Sequence, residues 1–280
     1  KPATKNTAHD ASGSGNRWSR SSDERVAIIA SASTAKMPLR QERAGLEGVS
    51  FMGCVRDEGV RNKAHSVAQA PRYDGGMIDV DVLIVGGGLV GASLAIALDG
   101  AGLRVALAEA AAPRVDEQPS YDERNLALAR ASVNALEALG VLDAKAPATP
   151  IRRIHVSRRG DFGAVRLDAA ALGLPPFGAV LPARELGNAL LRRLDRCASL
   201  VRIAPAQARS LATHDDAIEV ELQMPDGAQR VRTRLLVGAD GTNSFVRASL
   251  GIGTAQHDYA QSAIVTTLTA ERALDGTAYE

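Results

Sequence analysis

Two regimes of hydrophobic patterning divide this chain. Through residues 1–76, apolar positions rarely recur with a period of 2 or 3.6. Ser, Gly, Asn and charged residues dominate there, as in KPATKNTAHDASGSGNRWSRSSDER. A stretch of that kind buries too little apolar surface to offset its ordering entropy. The chain opens with Lys1, and Met77 stands just ahead of the first strong strand pattern. Residues 1–76 are therefore expected to be a disordered extension, or sequence upstream of the natural start.

From Met77 onward the periodicity sharpens. Val82 to Val85 is a continuous apolar run, the pattern of a strand buried on both faces. Gly88 to Leu98 predicts a helix, Gly100-Ala101-Gly102 breaks it, and Leu103 to Ala108 predicts the next strand. This β-α-β order implies a right-handed crossover between parallel strands. Arg130 to Leu142 predicts a second helix, with Val133, Leu136, Leu139 and Val141 on its apolar face. Residues 151 to 167, IRRIHVSRRGDFGAVRL, read as two short strands around Gly160-Asp161. Ala183 to Leu194 reads as a helix with Leu186, Leu190 and Leu191 one turn apart. Ile218, Val220 and Leu222 alternate with polar residues, and Pro225-Asp226-Gly227 turns the chain into Val231 to Val237, a hairpin with one wet face. GADGTNSFVRASLGI then predicts a tight turn and a short helix, and Ala263 to Leu268 a last strand. The chain carries no internal repeat.

Composition narrows the function classes. Apolar residues make up 45% of the 280 and aromatics 3%, so the core must be built from Ala, Val, Leu and Ile. With 33 basic against 32 acidic residues the net charge is +1, which argues against a nucleic-acid partner. Cys54 and Cys197 lie far apart without metal-ligand spacing, so a disulfide framework is not expected and a reducing compartment fits best. No apolar run approaches the ~20 residues of a membrane span. VAIIASASTA, Val26 to Ala35, is a poor signal peptide because its apolar centre is short and acids precede it.

The chemistry concentrates in DVLIVGGGLVGASLAIALDGAGLRVALAEA, Asp81 to Ala110. Gly86, Gly88 and Gly91 form G-x-G-x-x-G between a strand and a helix. Gly86 permits the tight turn out of the strand, Gly88 lets backbone approach a pyrophosphate, and Gly91 lets the helix pack close to the sheet. The helix N-terminus offers N–H groups and partial positive charge to phosphates. Glu109 follows Gly91 by 18 residues, where a ribose diol needs an acceptor and where an acid opposes a 2′-phosphate. The fingerprint thus fits FAD or NAD rather than NADP, and does not separate the first two.

Three later stretches carry a resemblance. Asp122-Glu123-Arg124-Asn125-Leu126-Ala127-Leu128 resembles the D-x-R-x-x-A-L segment of the para-hydroxybenzoate hydroxylase-like flavin monooxygenases. Residues 150 to 167 resemble a stretch of that group's ubiquinone-biosynthesis branch, and LLVGADGTNSFVRASLGI, residues 235 to 252, resembles its Asp-Gly motif. The similarity covers residues 77 to 280. It implies an α/β fold: a Rossmann-like FAD-binding βαβ domain with a parallel sheet and a β-hairpin insert, interleaved with an incomplete antiparallel-sheet substrate domain. The expected division is 77–149 and 181–252 for the FAD-binding parts, 150–180 for substrate-domain strands and 253–280 for the start of the rest of that domain.

The resemblance also assigns roles. Arg124 would offer its guanidinium to the pyrophosphate, Arg184 would face the flavin side, and Asp240-Gly241 would turn sharply and accept from a ribose hydroxyl. FAD is the implied cofactor, NAD(P)H the reductant and O2 the co-substrate. The substrate is a polyprenylated phenol hydroxylated on its ring. Other ubiquinone-biosynthesis proteins and peripheral contact with the inner face of the membrane, from a cytoplasmic location, are implied partners. His155 lies between Ile154 and Val156 in an expected strand and reads as structural. No acid, base or metal ligand is assigned. The family's later Gly-Asp flavin motif is not present, so weak FAD binding and no turnover are expected of this chain. Two rival readings stay open. An NAD-dependent dehydrogenase would use Gly86, Gly88, Gly91 and Glu109 but leaves Arg124 and Asp240-Gly241 unexplained, and a non-catalytic dinucleotide-binding fragment would need no further motif.

Overall fold

A computed structural model describes residues 26–28, 76–112, 124–143, 146–262, 264, 266, 268, 271 and 274–280. The expected extension 1–76 lies outside the described residues, apart from Gly76 and the short strand β1 (Val26–Ile28). The chain continues with β2 (Ile78–Val85), α1 (Leu89–Leu98) and β3 (Val105–Ala108). Next come β4 (Asn125–Ala129), α2 (Arg130–Ala138), β5 (Thr149–Ile151), β6 (Arg153–Val156) and β7 (Val165–Asp168). β8 (Gly178–Pro182) leads into α3 (Ala183–Leu194) and β9 (Leu200–Ile203). β10 (Gln207–Thr213), β11 (Ile218–Met224), β12 (Gly227–Gly238), α4 (Phe245–Ser249) and β13 (Thr277–Tyr279) complete the order.

The main sheet runs β10-β11-β12-β2-β3-β9. β12, β2, β3 and β9 are parallel, with Val85 opposite both Ala108 and Gly238. β1 pairs in parallel with the end of β12, at Leu236 to Gly238. Two smaller sheets, β13-β6-β7 and β4-β8-β5, flank this core. β6 and β7 pair antiparallel, the two strands expected within residues 151–167.

The strand periodicity decides the layers. Val82, Ile84, Val105 and Leu107 point to one face and pack with α1 and α3. Leu83, Val85, Ala106 and Leu236 point to the other and pack under Val220 and Leu222 of β11 and Val246 of α4. Both faces of the parallel sheet are therefore covered, which is why Val82 to Val85 of β2 and the whole of β3 read as unbroken apolar runs. α1 is apolar almost all round because it lies between the sheet and α3, and its buried Ala92 and Ala95 allow close approach. α3 has a wet face instead, with Glu185 in its first turn and Arg192 and Arg193 in its last, signs that complement the helix dipole.

Several expectations need correction. α2 stops at Ala138, because Gly140 takes φ +68° and turns the chain. Val141 and Leu142 remain buried beyond it, so the apolar signal outlasts the helix. The expected hairpin forms between β11 and β12, and β10 extends it to a three-stranded meander. β5 and β8 straddle the expected boundaries at 149/150 and 180/181 and pair with each other. The expected strand Ala263 to Leu268 is not formed at Ile264, Thr266 or Leu268, and Ile264 and Leu268 are 93% and 82% exposed. The other positions of that run lie outside the described residues.

At the amino ends of the parallel strands, Arg104 ties β3 to β2. Its guanidinium donates to both carboxylate oxygens of Asp81, at 3.3 Å and 3.2 Å, and its backbone N–H donates to the same group at 2.9 Å. These bonds hold the Asp81 carboxyl below its ordinary pKa. A depressed pKa contributes stability that is complete above the unfolded value and is lost as pH falls through the folded one. Asp81→Asn should therefore cost up to about 1 kcal/mol at neutral pH, because Arg104 is half exposed, and the gap from the parent should close below about pH 4. Urea titrations across pH check this; a gap that is independent of pH would contradict it.

Candidate functional site

The carboxyl ends of β2, β3 and β12 open onto one cavity of about 490 Å³. Gly86, Gly88, Glu109, Asp240 and Gly241 all line it. Such a volume falls within the usual range for small-molecule clefts, ~300–1,000 Å³.

Gly86 leaves β2 with φ +105°, and a Cβ there would lie 2.3 Å from the Ala239 carbonyl oxygen. Gly88 is the N-cap of α1, and a Cβ on it would meet nothing within 4 Å. Space for a ligand thus lies against bare backbone at the start of a helix, whose first N–H groups have no acceptor within the helix. Gly91 does a different job. A Cβ on it would stand 1.9 Å from the Gly86 carbonyl oxygen, so α1 rests directly on the turn that precedes it.

Glu109 ends β3 and reaches back to the glycine loop. Its Oε2 accepts from the Gly87 N–H at 2.5 Å and its Oε1 from the Ala111 N–H at 2.9 Å. A carboxylate has about four acceptor positions, so a ribose diol can still be bound while these two bonds fix the group. Asp240 is committed locally. One of its oxygens accepts from Ser244 Oγ at 2.5 Å; the other accepts from the N–H groups of Phe245 at 2.7 Å and Val246 at 3.2 Å. Its main work is to hold the start of α4, and Gly241 at φ +78° supplies the reversal this needs.

Arg124 and Arg184 stand together elsewhere. Asn125 pairs with Pro182, and the Arg124 carbonyl accepts from the Ala183 N–H at 2.8 Å, while Arg184 Nε lies 4.0 Å from Glu185. Neither lines the cavity. His155 sits on β6, where its Nδ1 accepts from Arg166 Nε at 3.3 Å and its ring lies 5.5 Å from that of Tyr279. Cys197 is buried, and burial pushes its thiol pKa up, away from a reactive thiolate. Among the described residues there is no cluster of three or more His, Cys, Asp or Glu placed to hold a metal.

Sequence reading missed one wall of the cavity: Ala206, Gln207, Ala208, Arg209, Asn243 and Phe245. Asn243 and Phe245 follow the Asp-Gly turn, and their place could have been extrapolated from it. Ala206 to Arg209 carry no motif; their place comes from the chain crossing beyond β9.

Two of the glycines separate folding from binding. Gly91→Ala should cost about 1–3 kcal/mol, because its methyl meets backbone rather than a movable side chain. Gly88→Val should change the ligand-free melting midpoint little yet remove the upward shift given by FAD. Thermal denaturation with and without FAD reads both, and a Gly88→Val protein still stabilised by FAD would place the ligand away from the helix start.

The FAD binding domain family model matches residues 79–277. The ubiquinone hydroxylase UbiL of Rhodospirillum rubrum is 39% identical over 201 residues, covering 71% of this chain and 46% of that protein. The 3-demethoxyubiquinol 3-hydroxylase of Escherichia coli is 37% identical over 199 residues, covering 68% of this chain and 49% of that protein. Among solved structures, the flavin-dependent monooxygenase PieE in complex with FAD and substrate superposes with a TM-score of 0.51 at 25% identity, covering 63% of this chain and 32% of that one. The chain spans about half the length of the curated relatives it matches. With the glycine turn, Glu109 and the Asp-Gly turn converging on one cavity inside the matched region, the chain belongs to the FAD binding domain family.

Proposed function

We propose that this chain forms the nucleotide-binding part of an FAD-dependent monooxygenase that hydroxylates the ring of a polyprenylated phenol in ubiquinone biosynthesis, with NAD(P)H as reductant and O2 as co-substrate. The observation that carries this reading is the Glu109 carboxylate bound to the glycine loop beside a cavity that also takes in the Asp-Gly turn. The similarity to the two ubiquinone-pathway hydroxylases supports the substrate class.

The residues present fit the adenosine diphosphate half of FAD. Gly88 and the first N–H groups of α1 hold the pyrophosphate, and Glu109 accepts from the adenosine ribose. Asp240 keeps α4 in place so that Gly241 and Asn243 bound the cavity. Arg124 is assigned to the pyrophosphate and Arg184 to the flavin side, although neither lines the cavity. Bound FAD would supply the redox chemistry and the activation of O2, while this chain binds and orients it. No helix among the described residues is long and apolar enough to cross a membrane. Access to a prenylated substrate then comes through peripheral contact with the membrane or through other ubiquinone-pathway proteins.

Visible absorption of the protein titrated with FAD tests the reading, together with thermal denaturation in FAD and in NAD. FAD should raise the melting midpoint and perturb the flavin bands, because a ligand that binds only the native state stabilises it. Stabilisation by NAD alone would assign the cavity to a nicotinamide dinucleotide instead. Glu109→Ala should weaken FAD binding by about tenfold, the usual cost of a charge-assisted hydrogen bond to a ligand.

A further inference from the structure

Three charged side chains line the cavity: Glu109, Asp240 and Arg209. Glu109 is braced by Gly87 and Ala111, and Asp240 by the start of α4. The Arg209 side chain makes no hydrogen bond or ion pair with any described residue, and Arg209 is the cavity's one cation among them.

Its position is built by a break in the strand. β10 pairs with β11 at Ala208↔Leu222 and then at Ser210↔Glu221, so Arg209 is an extra residue without a partner in the ladder. In a regular strand, neighbouring side chains point to opposite faces. A bulge re-aims one of them, and such bulges recur beside binding sites. Here the consecutive residues Gln207, Ala208 and Arg209 all line the cavity, and the bulge at Arg209 marks the end of that run.

The order of strands along the sheet edge says which part of a ligand reaches Arg209. The glycine loop ends β2 and Glu109 ends β3. The next strand outward is β9, and the chain leaving it is held to Glu109 itself: Glu109 N–H donates to the Ile203 carbonyl at 3.0 Å, and Ala206 N–H donates to the Glu109 carbonyl at 2.7 Å. A dinucleotide with its pyrophosphate at β2 and its ribose at β3 carries its base onward to Ala206–Arg209. We infer that Arg209 is a cofactor-binding residue whose guanidinium lies against the adenine of FAD. A planar guanidinium stacks on an aromatic face and is less strongly hydrated than an ammonium, so arginine suits this place better than lysine. The assignment rests on the FAD reading of the same cavity.

Isothermal titration calorimetry of the full chain, parent, Arg209→Ala and Arg209→Lys, with FAD and with ADP, tests it. Inorganic pyrophosphate serves as a competitor that lacks a base. Arg209→Ala should weaken FAD and ADP alike by about fivefold to tenfold, within the range of cation–π contacts. Pyrophosphate competition should not change, and Arg209→Lys should recover only part of the loss. Unchanged melting midpoints would show that both variants fold. Equal FAD affinity in parent and Arg209→Ala overturns the assignment and leaves the FAD reading standing. Full recovery by lysine, or an equal loss of pyrophosphate affinity, overturns stacking in favour of plain charge attraction. A parent protein that binds neither FAD nor ADP overturns the cavity's FAD reading and this inference with it.

Discussion

The contact between the Gly91 position and the Gly86 carbonyl fixes the geometry on which the site depends. With no side chain at 91, α1 can begin directly behind the turn that ends β2, and its N-terminus points along the carboxyl edge of the sheet. The same turn sets Gly87 where Glu109 can bind its N–H, and it runs against Ala239, so that the Asp-Gly turn closes the cavity from the β12 side. A helix displaced by one methyl group would draw Gly87 away from Glu109 and the glycine turn away from Ala239. Backbone proximity of this kind tolerates little adjustment, because carbonyl and Cα atoms cannot rotate out of the way as a side chain can.

What could be read from the sequence follows from the same distinction. Gly86 and Gly91 were legible because each meets a backbone demand that glycine alone satisfies: a positive φ at 86, an absent Cβ at 91. Glu109 was legible because a fixed spacing places it at the end of the next parallel strand. β2, β3 and α3 were legible because burial on two faces or one stripe leaves its period in the residues. β10 was not, because in QARSLAT the bulge interrupts the alternation and Ala208 alone is buried. β4 and β8 are short, and although β8 buries Leu181 in the core, pairing with distant partners rather than local pattern decides their conformation. Asp240 was placed correctly in its strand-to-helix turn, yet its three local donors, Ser244, Phe245 and Val246, could not be inferred from spacing alone.

The two faces of the parallel sheet divide the labour. α1 and α3 cover one face with leucine and alanine and build no part of the cavity except the start of α1, while Phe245 at the start of α4 lines it from the other side. The meander covers the other face and, at the point where the chain leaves β9 for β10, contributes the cavity's outer wall. An element that completes the core thereby also shapes the ligand site. Substitutions in β10 are therefore coupled to both, whereas those on the outer face of α3 are not.

β2 draws its two neighbours from opposite distances along the chain. β3 follows it after a single helix, but β12 arrives only after every other strand of the main sheet has been made, with Val85 facing Gly238. The β2–β3 unit can close early, since the loop it must bring together is short. The β12 register waits for a much longer closure, of the kind that slows folding. The glycine loop and Glu109 can therefore be assembled while the Asp-Gly turn is still unplaced. A nascent chain would hold half a nucleotide site before the sheet is finished, and the arrival of β12 would convert that open ledge into an enclosed pocket.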